Sequence, residues 1–211
     1  MSGQMMRDRV RKRVPARLLA SAMLVATVVL ATPMLSSAAK PATEPARDSI
    51  YQLPEQLIDQ DGRSFDWGSR RGKPQVLSMF YTSCRYVCPL IVDSGKAIEK
   101  SLTPAQRKQL GILLISMDPA NDDPQALTSV ANKRKLDHSL WTLASPQPDQ
   151  VRAIAGILGI RYRALADGDF NHSSALILLD AQGRIITRSE QVGSKLDPEF
   201  VAAVHKAIAA P

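Results

Sequence analysis

Two apolar runs constrain the fold of this chain more than any other feature. PQVLSMFY (74–81) follows a Gly-Lys pair, and GILLISM (111–117) is apolar on both of its faces. A strand of that kind has no side to offer to water. It belongs in the middle of a sheet that is covered above and below, the usual place of a central parallel strand in an α/β protein. An apolar content of 45% supplies a core of the required size.

The segments around these runs alternate between strand and helix patterns. YQLPEQLIDQDGRSFDW (51–67) places an Asp-Gly turn between short alternating stretches, which predicts a hairpin. LIVDSGKAIEKSL, after Pro89, has a helical period, and Thr103-Pro104 opens a short helix with proline at its first position. Asp122 or Asp123 caps a further helix that carries Pro124 near its start and runs to about Lys135. LWTLA is a short strand, and PDQVRAIAGILG is a helix ended by Gly159. IRYRA, SALILLD and RIITRSE read as strands, the last two joined by an Asp-Ala-Gln-Gly turn. Asp197-Pro198 starts a terminal helix with Phe200, Val201, Val204, Ala207 and Ile208 on one face. A βαβ half followed by a ββα half is the plan of a thioredoxin-like fold. The expected architecture is therefore α/β, a mixed central sheet flanked by helices with an N-terminal β-hairpin.

The chain has 211 residues and a formal charge of +7, yet the charge is concentrated at one end. Residues 1–39 hold six of the 27 basic residues and one of the 20 acids, which leaves 21 against 19, or +2, for the remainder. A near-neutral body with scattered cations argues against a nucleic-acid partner. The basic stretch RDRVRKR precedes an apolar run from Leu18 to Leu35, and small residues follow at Ser37 and Ala39. That order predicts a signal peptide or an uncleaved N-terminal anchor over 1–39 and a periplasmic location for the rest. The body is then soluble, or tethered to the inner membrane only through residues 18–35. No cysteine lies near the cleavage region, so a lipid anchor there is excluded. Residues 40–49, KPATEPARDS, read as a linker, and 50–211 as one domain.

Both cysteines fall in FYTSCRYVCPLI (80–91), where the first central strand runs into a helix. Strand ends of this kind carry the sites of open α/β sheets. Residues four apart share one face of a helical turn, so the thiols of Cys84 and Cys88 can converge. A thiol at a helix N-terminus sees unsatisfied N–H groups and loses its proton more readily, and Arg85 adds positive charge nearby. Pro89 suits the first helical turn, while its ring biases Cys88 away from helical angles, which predicts a locally irregular loop. Converging sulfurs can close a disulfide, exchange disulfides or grip a soft metal. A bridge over three intervening residues closes too small a loop to stabilise a large domain by much. The redox motif of thioredoxins has two intervening residues, not three. A peroxidase would need a dedicated cysteine pocket for which the sequence has no signature. A metal site needs a third ligand. Among the three histidines, His138 and His205 read as surface residues. His172, in the turn-rich DGDFNHSS before an apolar strand, could reach a neighbouring strand end, although on position alone it reads first as an ordinary loop histidine.

F-Y-T-S-C-R-Y-V-C-P, S-M-D-P-A-N-D-D-P (116–124) and N-H-S-S-A-L-I-L-L-D-A-Q-G (171–183) occur in that order. Together they resemble the Sco/SenC family of exported, thioredoxin-fold copper proteins, over essentially all of 50–211. The resemblance implies copper, as Cu(I) or Cu(II), bound by Cys84, Cys88 and His172. It implies a metallochaperone that supplies the Cu-A centre of a haem-copper oxidase subunit or a similar copper enzyme. A thiol reductant and another copper chaperone as donor are the further partners expected. The alternative is a periplasmic thiol-disulfide oxidoreductase acting on a client's cysteines, with Cys84 as the attacking thiol and Cys88 as the resolving one. The D-P-x-x-D-x-P element matches Asp118, Pro119, Asp122 and Pro124, with Asp122 read as a helix cap first and a loop-orienting group second. Two departures stand out: Arg85 where proline is frequent, and Asn171 where an aspartate often precedes the histidine and would orient its ring.

Overall fold

The structure, a computed structural model, describes residues 47–166 and 168–209. The segment read as signal or anchor lies outside these residues, and so does the linker up to residue 46. Ser49 already belongs to the fold. It bridges to Arg184, and its hydroxyl donates to the Gln182 carbonyl at 2.6 Å.

Among the described residues, nine strands and five α-helices follow in chain order. They are β1 (Gln56–Asp59), β2 (Ser64–Asp66), β3 (Gln75–Phe80), α1 (Val87–Ser101), α2 (Pro104–Arg107), β4 (Gly111–Ser116), α3 (Pro124–Arg134), β5 (Trp141–Pro146), α4 (Val151–Ile157), β6 (Tyr162–Ala164), β7 (Phe170–His172), β8 (Leu176–Leu179), β9 (Ile185–Ser189) and α5 (Pro198–Ala209). Seven of the strands form one mixed sheet in the order β2-β1-β5-β4-β3-β8-β9. The central three, β5, β4 and β3, are parallel, and antiparallel neighbours flank them on both sides. Every residue of β3 and of β4 is buried, as their largely apolar runs require, whereas the edge strand β9 turns Ile185, Ile186 and Arg188 outward.

The expected hairpin is present as β1 and β2, and α2 carries a full capping box between Thr103 and Gln106. Two expectations change. IRYRA forms β6, but β6 does not join the main sheet. It pairs with β7, the segment expected to be a loop, as a separate two-stranded unit. The second change concerns α1, which begins at Val87, so Cys88 lies within its first turn and not in an irregular loop. The clash of the Pro89 ring disfavours that geometry without forbidding it. The N–H that proline lacks is one of the four a helix start leaves unbonded in any case.

Helix α1 buries Cys88, Ile91, Val92, Gly95 and Ile98 along one stripe. Gly95 allows the ring edge of Trp141 to approach the helix closely, since a Cβ there would fall 2.2 Å from the indole. The Trp141 indole N–H donates to Glu99 at 2.9 Å, which ties β5 to the same helix. The end of α1 that carries the cysteines is thus held by a packed interior and not by a surface loop.

Candidate metal centre

The chain leaves β3 at Phe80, turns through residues 81–86 and enters α1 at Val87. The turn is closed by the Cys84 N–H on the Tyr81 carbonyl at 3.3 Å. Asp122 clamps the outside of this turn. Its carboxylate accepts from the Thr82 N–H at 3.1 Å, from the Thr82 hydroxyl and from the Ser116 hydroxyl at 2.6 Å. Burial pushes the Asp122 carboxyl above its usual range, and the Ser116 and Thr82 bonds offset part of that rise. The helix cap itself is Asp123, which accepts from the Ala126 N–H at 2.8 Å. Asp122 therefore takes the loop-orienting role and not the capping one. Two adjacent aspartates before Pro124 divide the tasks between them.

The sulfurs differ in setting. Cys84 is half-buried and Cys88 is buried at 4% exposure; both thiols are free. The Cys88 N–H points at the Cys84 sulfur at 3.4 Å, so an orphan amide of the helix start is satisfied by a thiol. Burial alone would raise the Cys84 pKa, but the backbone N–H groups of Cys88, Tyr86 and Val87, with the Cys88 thiol, outweigh it and hold the group below the ordinary thiol range. Cys88 goes the other way. Burial pushes its thiol well up, only partly offset by the Tyr81 N–H at 3.5 Å.

His172 ends β7 and faces this pair. Its Nδ1 lies 3.0 Å from the Ser173 carbonyl. A carbonyl can only accept, so Nδ1 carries the proton and Nε2 offers a lone pair. Nε2 is buried and finds no hydrogen-bond partner among the described residues. One ligand atom each from Cys84, Cys88 and His172 lies within 4.8 Å of the other two, the one group of three such side chains found among the described residues. The carboxylate missing at position 171 is thus not needed to turn the ring, because a backbone carbonyl does it. His138 and His205 stay apart from the thiols. The first lies 3.5 Å from Asp61, and the second is 3.4 Å from Gln106.

Sequence reasoning missed Tyr81 and the role of Asp169. The Tyr81 hydroxyl donates to the Asp169 carboxylate, and its ring meets Phe170 and His172 edge-on at 5.1 and 5.7 Å. Burial and the Asp169 bond push the Tyr81 hydroxyl well up, and the same bond, with the Phe170 N–H, lowers Asp169. The one available cue was the position of Tyr81 at the end of a buried strand, two residues before the cysteine loop. Beside the sulfurs, a cavity of about 150 Å³ is lined by Tyr81, Cys84, Cys88, Pro89, Val92 and Val130. Organic ligand pockets usually measure roughly 300–1,000 Å³. The space suits an ion or one incoming side chain.

A family model described as SCO1/SenC matches residues 44–209. A protein of Stutzerimonas stutzeri named for copper binding is 26% identical over 145 residues, 67% of this chain and 69% of its own. The structure of Bradyrhizobium japonicum ScoI with copper bound is 24% identical, with a TM-score of 0.59 over 73% of this chain and 97% of its own. BsSco, described as a member of the Sco family of cytochrome c oxidase assembly proteins with a disulfide switch, is 20% identical, with a TM-score of 0.65 over 80% and 98%. The two structures carry the fold, a thioredoxin-like mixed sheet with helices. The matched span takes in every described residue from 47 to 209, and the chain belongs to the SCO1/SenC family.

Proposed function

We propose that this protein is an exported copper metallochaperone that binds copper through Cys84, Cys88 and His172 and delivers it to the Cu-A centre of a haem-copper oxidase. The observation that carries the reading is the approach of the three ligand atoms to within 4.8 Å of one another. Two thiolates and one imidazole make a soft, low-coordinate set that favours copper, while structural zinc prefers four ligands. Copper is also what the Bradyrhizobium relative holds.

The protein's own residues supply the rest. Cys84 is preset toward thiolate by the helix start, and Cys88 gives up its proton as the ion enters. Ser173 keeps the Nε2 lone pair of His172 free for the ion. Tyr86, directly before α1, and Leu90, in the first turns of that helix, stand 82% and 42% exposed next to the cysteines, where a recipient would dock. A thiol reductant keeps the cysteines open to metal, and another copper chaperone serves as donor. In this reading 1–39 is the export signal or anchor, 40–49 the linker and 50–211 the copper-binding domain, with membrane contact only through the leader. No described helix is long and apolar enough to cross a membrane.

Titrating the reduced protein with copper tests this. One equivalent should be retained, with a sulfur-to-Cu(II) charge-transfer band on oxidation, and the metal should pass to an apo Cu-A domain. Failure to retain an equivalent ends the proposal. A second reading, thiol-disulfide exchange with a client, is favoured by the asymmetry between the half-exposed Cys84 and the buried Cys88. Replacing His172 by Ala separates the two: it should weaken copper retention and leave disulfide exchange largely intact.

A further inference from the structure

The third proposed ligand sits on an element that joins the rest of the domain through side chains and not through a strand ladder. β6 and β7 have three residues each and no ladder to the seven-stranded sheet. A two-stranded pair of that size is at best marginal by itself. Tyr162 and Phe170 pack it against the core edge, and its polar tie is to Tyr81, a residue 3% exposed directly after the buried strand β3. The Tyr81 ring packs edge-on against Phe170 and His172, and Tyr162 adds a tilted contact to Phe170 at 6.2 Å. The Tyr81 hydroxyl donates to Asp169, whose carboxylate also accepts from the Phe170 N–H at 3.0 Å. One carboxylate therefore ties the first residue of β7 to the central sheet. Asn171, in the position where the family often has aspartate, is exposed.

We propose that Tyr81 and Asp169 form a latch that positions the His172 hairpin over the sulfurs and so sets how long the imidazole stays on the ion. The role of the latch in metal retention rests on the copper reading above; its mechanical part does not. Tyr81 acts through His172, as a positioning residue. Ser173 fixes how the ring is turned within the hairpin, and the latch fixes where the hairpin lies.

Two measurements on the full chain test the latch. In the reduced, metal-free protein, amide hydrogen exchange of the β6–β7 ladder should quicken about tenfold in Tyr81→Phe and in Asp169→Ala, with β3, β4 and β5 unchanged. The double variant should be no worse than Asp169→Ala alone, because that change has already removed the bond that Tyr81→Phe breaks. In the copper-loaded protein, transfer to a chelator should be about tenfold faster for Tyr81→Phe. That acceleration should vanish when His172 is already Ala. Unchanged exchange in the hairpin would overturn the latch. An equal effect of Tyr81→Phe with and without His172 would overturn it too, placing the action on Cys84, which Tyr81 also adjoins. If the parent holds no copper, the metallochaperone reading falls, and amide exchange still decides the latch.

Discussion

The thiol side and the histidine side of the proposed site are built on unlike supports. Cys84 and Cys88 sit where a fully buried strand meets a helix that is packed by Ile91, Val92, Ile98 and Trp141 and clamped by a buried carboxylate. His172 sits on a three-residue strand of a detached pair. Two of the proposed ligands are thus fixed inside the core, and the third is held from outside the sheet, by the Tyr81–Asp169 bond, ring contacts and the packing of Tyr162 and Phe170 against the core edge. For a carrier this division is useful. A rigid dithiol pair keeps the ion from being lost, and a lightly held third ligand gives an incoming group a place to enter. The largest effect expected from this contrast is on Cys88. Changing Cys88→Ser removes a sulfur from the rigid half, and the protein should then fail to carry an equivalent of copper through desalting. Retention of a full equivalent would show that the rigid pair is not the principal holder.

The supports of the two halves should also differ in what they contribute to folding. Asp122→Ala strands the Thr82 N–H, the Thr82 hydroxyl and the Ser116 hydroxyl in a buried place, and should cost about 3 kcal/mol in urea unfolding. Gly95→Ala drives a methyl group into Trp141 and should cost about 2 kcal/mol, with helix propensity returning a part. If either variant unfolded like the parent, the thiol half would not be anchored in the core as described.

The same contrast governs what could be read from the residues alone. QVLSMF and GILLIS announce themselves as central strands because apolar residues occupy both faces, with Gln75, Ser78 and Ser116 the few polar exceptions. The thiol pair was legible because i, i+4 spacing is a local property. β6 was legible as a strand, but β7 and the pairing of the two were not, because Phe-Asn-His is too short and too polar to show a period and the partners meet only through space. Asp122 was misread for a similar reason. The sequence shows two candidate caps before Pro124, while the groups that claim one of them belong to Thr82, forty residues earlier, and Ser116. Cys88 shows a local rule overruled, since the Cys84 sulfur accepts its N–H and stabilises a helix start that the following proline disfavours.

The smallest expected effect gives the sharpest comparison. His172→Ala removes an edge-on ring contact with Tyr81, worth about 0.5–1.5 kcal/mol. It also removes a buried Nε2 that has no partner among the described residues, a group whose desolvation costs about 1–3 kcal/mol. The lost Nδ1 bond to the Ser173 carbonyl adds about 0.5–1.5 kcal/mol to the first side, so losses and gain nearly cancel and the metal-free variant should unfold within about 0.5 kcal/mol of the parent. Copper breaks the tie. A ligand that binds only the folded state stabilises it by RT ln(1 + [L]/Kd), so the parent should gain more in Tm on adding copper than the variant does. A metal-free Tm that drops by many degrees would mean that the imidazole holds the fold. Equal copper-induced shifts in the two proteins would mean that it does not hold the ion.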